Sequence, residues 1–200
     1  MDIPLISATG LRGLPLCRSY VCVTVDLLFV KVDGETGVHT KRLHWAVGIL
    51  SDGRADYLGS WHESDAAGAV WQSIANDLKA GGVERLRFVM GPDPVGLQVA
   101  LAAHYREVTG LAALVKASGD ASLDSVLPGH RGYLELARDV SSQLSRRLKR
   151  AGARHGSFTA PGAAAALLRR SAERYIRGNW RKSPEVLLRG ISKSAAAAHH

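Results

Sequence analysis

The alternation of apolar and polar positions is clearest near the start of the chain. Residues 20–32 read YVCVTVDLLFVKV, rich in β-branched and aromatic side chains, with no glycine or proline. Both alternating faces are largely apolar, which predicts a central strand covered on each side. Asp26 interrupts the run; a carboxylate there is costly unless it is paired, hydrogen-bonded or set at a functional cleft. The stretch Asp33-Gly34-Glu35-Thr36-Gly37 has turn composition, and residues 41–50 then form a second strand. A second turn at Ser51-Asp52-Gly53 leads into a third strand over 55–61. Connections this short make the three strands antiparallel.

The period then changes. Val70, Trp71, Ile74 and Leu78 fall at helical spacing, with Ser64 or Asp65 as the expected cap and Gly81-Gly82 as the stop. Residues 86–90 form a short apolar strand, fed by that helix and so expected to run parallel to the first. A helix over 96–105, a short strand over 111–115 and a polar loop over 118–130 follow. Leu134, Ala137, Val140, Leu144 and Leu148 mark one amphipathic helix; Leu168, Ala172, Tyr175 and Ile176 mark another. Three antiparallel strands followed by βα units and two helices resemble the RNase H-like fold. That implies an α/β domain, a mixed five-stranded sheet with helices on both faces.

Composition narrows the class. With 200 residues, 46% of them hydrophobic, the chain suits a single globular domain, expected over 1–192. Residues 193–200, ending Ala-Ala-His-His, look like a linker with the start of a purification tag. No apolar run approaches the ~20 residues that span a bilayer, and the first 18 residues lack the order of a signal peptide. The expectation is a cytoplasmic bacterial protein, associated with the nucleoid if it binds DNA. Cys17 and Cys22 have no metal-ligand spacing and are expected as buried thiols. Charge is distributed unevenly. Residues 1–128 carry 11 Lys and Arg against 14 Asp and Glu, a net of −3, whereas residues 129–200 carry 15 against 4, a net of +11. Such asymmetry within one domain points to a polyanion-facing surface.

At this point the residues resemble a known family, the Mutator-type transposases of bacterial insertion sequences, from Pro15 to about Ile191. The block around Asp26 resembles the family's first catalytic aspartate. Ala46-Val47-Gly48 with Asp52-Gly53 resembles the second strand and its turn. Leu58-Gly59-Ser60-Trp61, Glu63-Ser64, Trp71, Asp77-Leu78-Lys79 and Gly82-Val83 continue the likeness with no gap. The family's second catalytic aspartate then falls on Pro92, with Asp93 beside it; Pro92 and Pro94 argue against an ordinary strand-to-helix loop. The family's cysteine-and-histidine block and helical insertion have no counterpart, so the insertion is expected to be deleted. Ser142-Gln143-Leu144-Ser145-Arg146-Arg147-Leu148-Lys149-Arg150 resembles the last catalytic helix, with the family's glutamate at Ser142. The triad Asp-Asp-Glu thus reads Asp26, Pro92, Ser142.

The resemblance implies chemistry with two divalent metal ions about 4 Å apart, held by three carboxylates. One carboxylate cannot neutralise two dications, and serine and proline are no substitutes for hard oxygen ligands. The chain is therefore expected to be catalytically silent and to need no cofactor, with Mg2+ or Mn2+ serving whatever activity remains. Asp93, Asp139 and Glu135 are the substitute ligands a rearranged site would recruit. The family's upstream DNA-binding region is expected to be missing, leaving the basic C-terminal part to meet DNA: Arg146, Arg147, Lys149, Arg150 and Arg154 on one helix, then Arg169, Arg170, Arg174 and Arg177 on the next. Trp180, followed by Arg181 and Lys182, is read as a core-capping residue rather than a base-stacking one. Three functions follow: a non-catalytic DNA-binding protein, an active transposase or nuclease with a rearranged site, and an interaction module. The last would be a homodimer or a dimerising inhibitor of a related transposase, using the helix that bears Trp71.

Overall fold

A 16-residue first strand, β1 (Ser19–Gly34), organises everything around it. The computed structural model describes residues 16–63, 68–112 and 128–179. Strand β2 (Gly37–Ile49) runs antiparallel to β1 from Gly34↔Gly37 to Cys22↔Ile49, occupying one edge along nearly its whole length. Strand β3 (Ala55–His62) pairs antiparallel with β2, with a register shift between Ala46 and Val47. Helix α1 (Ala69–Ala80) then crosses to β4 (Arg85–Gly91), which lies parallel to β1 from Ser19↔Arg85 to Thr24↔Met90. Helix α2 (Pro94–Ala102) leads to β5 (Thr109–Ala112), parallel to β4. A 3-10 turn (Pro128–His130) opens the long helix α3 (Arg131–His155), followed by β6 (Ser157–Phe158) and α4 (Pro161–Asn179).

Among the described residues the sheet has six strands in the order β3-β2-β1-β4-β5, with β6 also paired to β1. The sequence predicts five. The sixth, β6, is two residues long and pairs through Lys31↔Ser157 and Val32↔Phe158. It lies on the edge that β4 leaves at Thr24, because β2 fills the other edge. Two further boundaries move. Strand β2 starts at Gly37 rather than 41, because pairing with β1 carries its polar, exposed first residues. Helix α1 begins at Ala69 with Gly68 in the left-handed region at φ 76°, so the expected cap at Ser64 or Asp65 falls outside the described residues.

Side chains alternate across β1 and divide the interior in two. Cys22, Leu28, Val30 and Val32 join Trp45 of β2 under α3 and α4. Val23 and Val25 join Ala46, Ile74 and Leu78 under α1 and α2. Helix α3 lays Leu134, Ala137, Val140, Leu144 and Leu148 on the sheet at three- and four-residue spacing, and each fully buried leucine contributes roughly 1.5–3 kcal/mol. On the opposite face the buried Trp61 indole donates to the Asp77 carboxylate at 2.8 Å, tying α1 to β3. Helices therefore cover both faces. Among the described residues no helix is long and apolar enough to cross a membrane.

Candidate functional site

Asp26 stands in the middle of β1, half-buried, opposite Trp45 of β2. By alternation it shares the face of Cys22 and Leu28, the one α3 covers. Its Oδ1 accepts a hydrogen bond from the Leu27 backbone N–H at 2.7 Å. On the edge away from β2, strand pairing stops at Thr24 and resumes only at Lys31. Asp26 thus sits where the sheet opens between β4 and β6.

The β1–β4 register locates the next position. The last β1–β4 pair is Thr24↔Met90, and β4 ends at Gly91, so Pro92 follows just beyond the strand, on the edge where Asp26 lies two residues past Thr24. Met90 faces α3 with the rest of that core, and Pro92 is exposed in the bend that leads to α2. The neighbouring Asp93 is turned elsewhere. Its carboxylate caps α2 by accepting from Gly96 N–H at 2.9 Å, and it also accepts from Trp71 Nε1 of α1 at 3.0 Å. Gly96 makes this possible: a Cβ there would run into the Asp93 carboxylate and lie 3.0 Å from Trp71 Cδ1. The link between β4 and α2 is nevertheless an ordinary one, contrary to the expectation from its two prolines. Pro94 takes the first helical turn, where its missing N–H costs nothing, and Asp93 supplies the cap.

The remaining candidates lie on α3. Its buried face carries Ser141, whereas Ser142 and Asp139 are exposed. Glu135 is held by Arg131 at 3.1 Å, one turn away. Asp26, Asp93 and Asp139 do not form a cluster: among the described residues no three His, Cys, Asp or Glu side chains gather closely enough to hold a metal ion. Cys17 and Cys22 are free thiols, and burial pushes the Cys22 thiol up to about 12, so it stays protonated and inert. Trp71, the residue marking the expected interaction helix, is half-buried; its indole bonds Asp93 and its ring meets His44 edge-on at 4.9 Å. Trp180, Arg181 and Lys182 lie outside the described residues.

His44 carries no sequence signal, yet it is almost fully buried on β2, and neither ring nitrogen has a hydrogen-bond partner among the described residues. Burial lowers its pKa below 6.5; the charges of Glu63 and Asp26 only partly oppose this. Burial lowers His62 as well. Between folded and unfolded values the unfolded chain binds more protons, so stability rises with pH there. The contribution is complete above the unfolded value of about 6.5 and is lost as the pH falls below it. Thermal unfolding is therefore expected to shift to lower temperature between pH 8 and pH 5, with a smaller shift in His44→Phe. An unchanged melting temperature over that range would contradict the neutral, buried imidazoles.

The basic residues separate into groups. Arg147, Arg150 and Arg154 of α3 and Arg170 and Arg174 of α4 line one cleft of 440 Å³. Arg169 is occupied by Glu173 at 2.7 Å. Arg146, Lys149 and Arg177 are exposed but do not line the cleft.

Residues 8–117 match the family described as Transposase, Mutator family. The chain belongs to that family. Its Mutator relatives include the probable transposase for insertion sequence element ISRM3-like of Sinorhizobium fredii, 34% identical over 73 residues, or 36% of this chain and 18% of the relative. The transposase for insertion sequence element IS256 in transposon Tn4001 of Staphylococcus aureus is 27% identical over 92 residues, 46% of this chain and 24% of the relative. The Mutator chain thus spans less than a quarter of the length of these curated relatives. A chain of the simian T-cell lymphotropic virus intasome, solved in complex with PP2A regulatory subunit B56 gamma, aligns over 78% of this chain and 49% of its own at 13% identity. Its TM-score of 0.40 is too low to define a fold. The family match includes Asp26, Pro92 and Asp93 and ends before α3.

Proposed function

We propose that this Mutator-family domain is a catalytically silent, DNA-binding derivative of a transposase, built on an RNase H-like fold. The reading rests on one observation above all. Pro92, the first residue past β4, offers no side-chain ligand atom, and the carboxylate of the following Asp93 is engaged with Gly96 N–H and the Trp71 indole. The strand order β3-β2-β1-β4-β5, with three antiparallel strands followed by parallel ones, supports the fold. Family membership brings the expectation of divalent metal ions, but the residues present do not suit them. A pair of dications needs several carboxylate oxygens in fixed positions. Asp26 offers one carboxylate, already accepting from Leu27 N–H, and Ser142 at the third position is a neutral, exposed hydroxyl.

DNA binding draws on the net +11 of residues 129–200. Lysine and arginine contacts to phosphates give affinity that falls with salt and carries little sequence information. Titration of a fluorescent DNA duplex across a salt series is expected to show binding that weakens linearly on a log-log plot, with little preference among sequences. Failure to bind any duplex at low salt would defeat the DNA-binding reading and turn the search towards a protein partner.

A further inference from the structure

We infer that the cleft between α3 and α4 is the nucleic-acid site itself: a cradle for the phosphodiester backbone of one strand, spanning about three phosphates. The inference rests on the DNA-binding reading above and goes further by assigning the contact to five arginines. Arg147, Arg150 and Arg154 form one wall and Arg170 and Arg174 the other, around small or apolar residues, Ala151 and Leu167.

The arrangement works against the helices that carry it. Two other arginines of the same helices are paired with a carboxylate one turn along, Arg131 with Glu135 and Arg169 with Glu173. In the cleft the four-residue steps join like charges, Arg150 with Arg154 and Arg170 with Arg174, and such pairs destabilise a helix. None of the five has an ion pair with a described carboxylate, and no acid lines the cleft. A polyanion entering between the walls would relieve the repulsion of both rows at once. Arg147 is held over the Tyr175 ring at 4.9 Å, which fixes one guanidinium at the rim. The Tyr175 hydroxyl in turn donates to the Gln143 side chain, joining the two helices beneath.

The length of the arginine wall accommodates a short run of phosphates. From Arg147 to Arg154 the helix rises roughly 10 Å at ~1.5 Å per residue. One DNA strand carries a phosphate every ~3.4 Å of axis, so the arginine row matches about three in succession. A concave cleft with cationic walls on both sides grips a backbone and leaves the bases outside it, whether the strand is single or part of a duplex.

The test compares two variants that remove three positive charges each from exposed positions of the same helices. The cleft variant is Arg150→Ala/Arg170→Ala/Arg174→Ala; the control is Arg146→Ala/Lys149→Ala/Arg177→Ala. Alanine is the best helix former, and a matching set of glutamine substitutions replaces either variant whose circular dichroism departs from wild type. With a fluorescent DNA duplex and a dT oligomer as probes, the cleft variant is expected to lose about tenfold or more in affinity at low salt. Its log-log salt slope should be shallower by up to about three units on the duplex and about two on the dT oligomer, since each lost phosphate contact removes roughly 0.9 and 0.7 respectively. The control, whose residues lie outside the cleft on the same basic surface, is expected to lose clearly less affinity and to flatten the slope by no more than about one unit. Equal losses in both variants, or none in either, with wild type still binding, would overturn the cleft and leave the DNA-binding reading intact. No binding by wild type to either probe would bring down both.

Discussion

Trp45→Ala is expected to cost about 3–5 kcal/mol, enough to leave the domain largely unfolded at modest urea. Trp45 has no exposed surface, sits on β2 between β1 and β3, and anchors the core beneath α3 with Leu43 and Val47. Loss of its ring leaves a cavity under the helix whose polar outer face includes Ser142. Trp45→Phe should be much milder. The indole N–H is buried with no hydrogen-bond partner among the described residues, and such a group costs roughly 1–3 kcal/mol in lost hydration. Phenylalanine removes that group while keeping most of the apolar area, so the two effects offset each other. A natural domain has only about 5–15 kcal/mol in reserve, which makes the contrast easy to read from urea midpoints. Equal destabilisation by the two substitutions would contradict the packing described for this face.

Asp26 and the three-strand opening were legible because a long, doubly apolar strand has few alternatives, and a carboxylate in its middle needs a reason. The sequence also set Asp93 apart from Pro92. A one-residue step along a strand exchanges faces, and the structure turns Asp93 to Trp71 on the α1 side. The short strand β6 was not legible, since two residues carry no period and are held only by the free edge of β1. The prolines around Asp93 misled because their effect depends on position: Pro94 at the first turn of α2 stabilises the junction it was expected to break. On α3, helical spacing separates buried Ser141 from exposed Ser142. The basic residues were visible as a surplus of charge. Their sorting into a cleft, an ion pair and an open surface required knowing that α3 and α4 pack side by side. His44 gave no signal at all, because its burial comes from β2 lying between β1 and β3, with Trp71 arriving from α1.

The second large effect, on the proposed reading, is an absence of chemistry. Metal-dependent cleavage by two dications depends on carboxylates that hold both ions in register with the scissile phosphate. Without the second and third carboxylates, the loss of rate is expected to exceed the ~10²–10³-fold typical of removing a single stabilising group. Pro92→Asp combined with Ser142→Glu supplies carboxylates at the two positions proposed for the family's second and third ligands, and metal-dependent nicking gained by that variant would support those assignments. The most direct measurement uses the unmodified protein. Supercoiled plasmid is incubated with it in Mg2+ and in Mn2+ at low salt, and the products are resolved before and after the protein is stripped away. The expected result is retarded plasmid that returns fully supercoiled. Nicked or linear plasmid whose formation is abolished by Asp26→Asn would show that Asp26 still works in a complete metal site, and the chain would be an active transposase or nuclease.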